Sequence, residues 1–279
     1  MATLQVPGAR LHYEQRGDGA EIIVFAHGLL FSGRMFDAQV DALCESYRCV
    51  TFDFRGQGNG EVTRHGYDMD TLAEDAAALI EALGGAPCHL VGLSMGGFVG
   101  LRLAIRRPEL LRTLVLISTS ADPESAGIIR GYRRLAFVTR WLGPRLVARR
   151  VERIIFGEPF LNDPSREVER KSWMRRILGN DRIGMARAAS GVVDREGVHD
   201  LLERITVPTL ILVGERDVAT PPAKARRMHA RIPGSKLVVI SGAGHTLTVE
   251  APGAVNAALA EFGFDGRSVA PLDGARQEI

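Results

Sequence analysis

The run 87–100, P-C-H-L-V-G-L-S-M-G-G-F-V-G, constrains the fold of this chain more than any other stretch. Cys88-His89-Leu90-Val91 reads as a short, fully buried strand. Gly92-Leu93-Ser94-Met95-Gly96 follows at once as G-x-S-x-G, and a helical pattern opens directly behind it. A strand–turn–helix context is what gives this motif chemical meaning. Such a sharp reversal strains the serine backbone, and side chains at positions 92 and 96 would collide across the turn. In return, the hydroxyl of Ser94 stands above the sheet edge. The N–H of Met95 then lies at a helix start, where developing negative charge is stabilised. A glycine-rich packing turn with an incidental serine is the alternative, and the flanking elements and the partners below weigh against it.

The rest of the chain alternates. Strands are expected within 3–15 as a hairpin around Pro7-Gly8, then at 21–26, 48–54, 88–91, 113–117, 208–214 and 236–240. Helical spacing fills the intervals: Leu72, Ala76, Leu79, Ile80 and Leu83 recur on one face, with Thr71 and Glu74 as a capping box and Gly84-Gly85 as the stop. Strands alternating with helices of this length imply βαβ units and a mostly parallel sheet. From 118 to 204 the alternation gives way to helices. There Val147, Val151, Ile154 and Ile155 oppose Arg145, Arg149 and Arg153, so the arginine-rich stretch 130–153 reads as a solvated face. After the strand at 208–214, Thr220 is expected to cap a helix with Pro221 at its first position. Val255, Leu259 and Phe262 mark a closing helix, and 265–279 reads as a frayed tail.

Chemistry-bearing residues gather at the carboxyl ends of expected strands, where open α/β sheets place their sites. These are His27-Gly28-Leu29-Leu30, Asp53-Phe54-Arg55-Gly56-Gln57-Gly58, Ser94, Glu215-Arg216-Asp217 and, after the last strand, Gly242-Ala243-Gly244-His245. The order Ser94, Asp217, His245 and the motifs above resemble the α/β-hydrolase superfamily over nearly the whole chain. That resemblance implies an α/β-hydrolase fold: a mostly parallel eight-stranded sheet flanked by helices, with a helical cap between strands 6 and 7. The core is then 1–117 and 205–264, and the cap is 118–204. It also implies a Ser94–His245–Asp217 triad and an oxyanion hole from the backbone N–H groups of Leu29 and Met95. Glu215 and Asp122 remain rival acids. His27 reads as a structural hydrogen-bonder, Phe36 as core, and Phe31, Trp141 and Trp173 as candidate walls of the substrate pocket.

The serine excludes the haloalkane-dehalogenase and epoxide-hydrolase branches, which need aspartate at that turn. H-L-V-G-L-S-M-G-G and R-R-P-E-L-L-R-T-L-V-L-I-S are most similar to 3-oxoadipate enol-lactonases and small carboxylesterases. Cofactor-free perhydrolases share much of this pattern. The expectation is a serine hydrolase for a small ester or lactone, with an acyl-transfer enzyme or a non-catalytic ligand-binding protein as alternatives.

No cofactor or metal is expected: the histidines lack ligand spacing, and Gly56, Gly58 and Gly60 do not fit a dinucleotide fingerprint. A net charge of +2 argues against a nucleic-acid partner. No apolar run suits a membrane span and no secretory signal opens the chain, so no membrane partner is expected. Three cysteines, Cys44, Cys49 and Cys88, fit free thiols in a cytoplasmic protein.

Overall fold

The computed structural model describes residues 2–264. An opening hairpin of β1 (Ala2–Val6) and β2 (Ala9–Arg16) leads into β3 (Ile22–Ala26), α1 (Asp37–Leu43), β4 (Arg48–Asp53) and α2 (Met69–Ala82). Then come β5 (Cys88–Leu93), α3 (Met95–Arg106) and β6 (Leu111–Ile117). Between β6 and the next strand lie α4 (Ala126–Leu142), α5 (Ala148–Ile155), α6 (Glu158–Asn162), α7 (Glu167–Leu178) and α8 (Arg182–Val193). The chain closes through β7 (Thr209–Gly214), α9 (Pro222–His229), β8 (Lys236–Ile240), α10 (Leu247–Glu250) and α11 (Pro252–Phe262). Residues 265–279, expected as a tail, lie outside the described residues.

The strands form one eight-stranded sheet in the order β1-β2-β4-β3-β5-β6-β7-β8. β2 pairs antiparallel with both β1 and β4, and every other pairing is parallel. Central strands covered on both faces need apolar residues at every position. β3 meets that demand, and β5 and β7 come close: all three are buried throughout, with His89 bonded to the Thr113 hydroxyl at 2.8 Å and the Thr209 hydroxyl donating to the Val207 carbonyl at 2.9 Å. Successive side chains point to opposite faces, so each strand feeds two cores. Val24, Leu90, Leu114 and Ile211 join α2 and α3 on one face. Phe25, Val91, Val115 and Leu212 pack on the other, against α1, α11 and part of the insertion.

Two helix starts differ from expectation. α2 is capped by Asp68, whose carboxylate accepts the N–H of Thr71 at 2.8 Å, so Thr71 lies inside the helix. Asp68 wins because its backbone is extended (ψ 153°), as an N-cap requires. α9 begins at Pro222 with Pro221 as its cap, which frees the Thr220 hydroxyl for another task. All three cysteines are free. Burial pushes the thiols of Cys49 and Cys88 up to about 12, so both serve as small apolar fillers.

A buried ion pair pins the turn after β4. The guanidinium of Arg55 donates twice to Asp75 on α2, at 2.8 and 2.7 Å, and once each to the carbonyls of His65 and Pro7. With side chains 3% and 2% exposed, neither charge has water to fall back on. Asp75→Ala, by stranding a buried cation, is expected to lower the free energy of unfolding by about 3–5 kcal/mol. Chemical denaturation of the variant and wild type checks this.

Candidate active site

The turn between β5 and α3 depends on backbone touching backbone. A Cβ at Gly96 would collide with the carbonyl of Ala26, and one at Gly92 with the carbonyl of Gly96 itself. Closeness is exploited: Gly96 N–H donates to the carbonyl of His27 at 3.1 Å, tying the turn to the loop after β3. Ser94 sits at the apex with φ 52° and ψ −107°, a left-handed strain that side chains rarely bear outside functional sites. It is clamped from both ends, its N–H on the Ile117 carbonyl at 2.8 Å and its carbonyl on the Thr119 hydroxyl at 2.8 Å. Met95 opens α3, so its N–H belongs to the unpaired first turn of that helix.

His27-Gly28-Leu29-Leu30 follows β3. The buried His27 ring accepts the Phe54 N–H on Nε2 at 3.0 Å, which leaves Nδ1–H to donate to the Gly28 carbonyl at 2.8 Å. Burial holds its pKa below the ordinary histidine value, against the pull of Asp53, so the ring is neutral. Its role is structural, as expected. Gln57 accepts the Leu30 N–H at 2.6 Å and reaches the sulfur of Met95 with its amide, linking this loop to the serine turn. Asn180, from the insertion, donates to the Leu30 carbonyl at 2.9 Å and accepts the Gly58 N–H at 2.8 Å. After these bonds, the N–H groups of Leu29 and Met95 remain without a partner among the described residues.

Across the sheet, Nδ1 of His245 lies 2.9 and 3.1 Å from the two oxygens of Asp217. Asp217 also accepts the N–H groups of Ala219 and Thr220 and the Thr220 hydroxyl. Burial favours the neutral carboxyl, but the neighbouring imidazole and these donors outweigh it and hold the Asp217 pKa below the usual carboxylate value. For His245 burial again opposes charge, and the Asp217 carboxylate overcomes it, raising the imidazole above its ordinary value. The rival acids are engaged elsewhere. Asp122 pairs with Arg227 at 3.1 Å, while Glu215 holds Ser241 and Gly242. Glu250 steadies the histidine loop from behind, accepting the N–H groups of Gly244, Thr246 and, from the insertion, Gly157.

Ser94 and His245 line one cavity of about 100 Å³, roofed by α4, α5 and α8. No hydrogen bond joins the two side chains among the described residues. Leu29 and Phe31 are also in the wall; Trp173, expected there too, is not, and stands behind Phe31 with ring centroids 5.8 Å apart, lining a separate pocket. Trp141 stands elsewhere: it is 62% exposed and faces an outer groove. Among the described residues no lysine or arginine lines the cavity, and Glu124 is the one carboxylate in its wall. Glu124 is paired with Arg195 at 2.8 Å and with Lys224 at 3.5 Å. No cluster of potential metal ligands exists among the described residues.

Residues 21–252 match the family of the alpha/beta hydrolase fold, and the chain belongs to that family. A thermophilic esterase from Thermogutta terrifontis superposes with a TM-score of 0.86 at 32% identity, covering 95% of this chain and 97% of the other. The enol-lactonase of Burkholderia xenovorans gives 0.87 at 26% identity, covering 94% and 99%. A bromoperoxidase from Bacillus anthracis gives 0.82 at 26%, covering 91% and 95%.

Gln57, Asn180, Glu124 and Glu250 carry no sequence signal of their own. The hydroxyl of Thr220, read from sequence as a helix cap, instead bonds Asp217 and lies 3.3 Å from Nδ1 of His245. The imidazole of His245 is expected to titrate above the ordinary histidine value of 6.5. In Asp217→Asn it should fall, since burial is then opposed by the Glu250 carboxylate alone. Nitrogen-15 NMR titration of the imidazole in both proteins checks this.

Proposed function

We propose that this chain is a serine hydrolase for a small carboxylic ester or lactone with an uncharged, apolar acyl group. One observation carries the reading: a strained serine and an aspartate-paired histidine share a single apolar cavity. In this mechanism Nε2 of His245 takes the proton of Ser94 as its oxygen attacks the acyl carbonyl. Asp217, bonded to Nδ1, fixes the tautomer and stabilises the imidazolium. The free N–H groups of Leu29 and Met95 receive the oxyanion, and each such donor is worth about 10²–10³ in turnover. His245 then returns its proton to the leaving group, and water releases the acyl-enzyme by the reverse path. Nucleophile–base contacts commonly close only in the Michaelis complex, which fits the open Ser94–His245 pair. Residues 118–204 act as the cap that gives the pocket its shape. The free thiols and the absence, among the described residues, of a helix able to cross a membrane accord with a cytoplasmic enzyme.

Similarity to a bromoperoxidase favours a second reading, in which peroxide takes the place of water as the acyl acceptor. Peroxide raising product formation above the hydrolytic rate would select it. A third reading, a ligand-binding protein on a hydrolase fold, predicts no reaction with a serine-directed fluorophosphonate.

Wild type is expected to be labelled by fluorophosphonate at Ser94. Ser94→Ala should lose labelling and about five to six orders of magnitude in ester hydrolysis, with unchanged thermal unfolding. Equal hydrolysis by the variant would place the nucleophile elsewhere.

The cavity's charge gives a finer expectation. Burying an unpaired carboxylate beside Glu124 in an apolar pocket is costly. Dimethyl adipate should therefore exceed its monomethyl monoanion in kcat/KM by about 100-fold. In Glu124→Gln the gap should shrink by about tenfold, as Arg195 and Lys224 lose their counter-charge. Parallel assays of the two esters check both values.

A further inference from the structure

Between 126 and 153 the chain is strongly basic, with Glu152 as its sole acid. On α5 the arginines stand opposite the apolar stripe, which lines the cavity, as the sequence leads one to expect. α4 is built differently. Its inner stripe, Tyr132, Leu135, Ala136 and Thr139, roofs the cavity. Its outer stripe follows the i, i+4, i+7, i+11 spacing of a single helix face: Arg130, Arg134, Phe137 and Trp141. Phe137 and Trp141 are each 62% exposed, and the turn beyond adds Leu142 at 65% and Leu146 at 69%. Large aromatic and aliphatic side chains thus stand in water among cations.

Those cations are mostly unspent. Arg133 pairs with Asp194, and Arg140 lies over the Trp141 ring at 5.3 Å. Arg130, Arg134, Arg145, Arg149 and Arg150 form no ion pair among the described residues. Nucleic-acid phosphates would satisfy the guanidiniums but leave Leu142 and Leu146 without an apolar partner. A bilayer surface with anionic headgroups satisfies both, since phosphates meet arginines while tryptophan and leucine enter the interfacial layer. The position fits this chemistry as well. Ala136 and Ala186 line both the cavity and the outer groove that holds Phe137 and Trp141, so the two share small side chains as a wall.

We propose that the outer face of α4 and the turn after it dock on an anionic lipid surface, as a peripheral contact that spans nothing. The docking itself does not depend on turnover, so it can fail or succeed apart from the hydrolase reading.

The chain contains two tryptophans, which makes Trp141 a built-in reporter. Wild-type protein is mixed with vesicles of phosphatidylcholine alone, or with about 30 mol% phosphatidylglycerol, and followed by co-sedimentation and tryptophan emission. Expected are a blue shift and at least about tenfold stronger partitioning on the anionic vesicles, both lost in about 0.5 M NaCl. Trp141→Phe should abolish the blue shift. Arg130→Glu/Arg134→Glu should weaken partitioning by at least about tenfold, since each basic residue contributes about fivefold. Hydrolysis of a water-soluble ester by that double variant should stay within about twofold of wild type, because neither arginine touches the cavity. Equal partitioning on neutral and anionic vesicles, no partitioning at all, or a self-associated state that already covers Trp141 without lipid would each overturn the proposal.

Discussion

The contact on which the site depends is between two stretches of backbone. The first turn of α3 presses on the end of β3 so closely that Gly96 has the carbonyl of Ala26 where a side chain would begin. This contact places the serine apex beside the loop that follows β3, and the Gly96–His27 hydrogen bond fixes their spacing. It also explains why strain at Ser94 persists, since the clamps on Ile117 and Thr119 leave the residue no relaxed alternative. The surrounding sheet is a rigid frame for one strained residue.

A second tier of polar side chains ties the inserted helices to that frame. Asn180 bridges the Leu30 carbonyl and the Gly58 N–H, while Glu250 gathers amides from the histidine loop and from Gly157. Arg166 adds bonds to the carbonyls of Val249 and Glu250. The insertion is therefore fastened at both loops that border the cavity. Its inner surface, by contrast, is nearly all hydrocarbon. Position is set by a few directed bonds, and the shape of the cavity by undirected apolar area.

Much of this was legible in the sequence because the governing constraints are local. A buried central strand must be apolar at nearly every position, and a strand-to-helix reversal with a serine apex demands glycine on either side. Those rules located β5, the turn at Ser94 and the positions of the remaining strands along the chain. Where the deciding contact is remote, the sequence is mute. Thr71 and Asp68 are equally good capping residues, and only the extended backbone at 68 separates them. Trp141 faces outward because α4 gives its stripe of Tyr132, Leu135, Ala136 and Thr139 to the cavity, a choice of inner face that composition does not encode. Gln57, Asn180 and Glu250 act by binding backbone amides and carbonyls, a task that leaves no periodic trace.

The two loop histidines are displaced in opposite directions, and this has a consequence for how the pocket meets changes in acidity. His27 is sealed in, with one nitrogen donating and the other accepting, and burial resists its protonation. His245 has a carboxylate that welcomes the charge. Of the two rings, His245 is thus the one that takes up a proton first, and the scaffold around Leu29 keeps its shape while the imidazole opposite changes state.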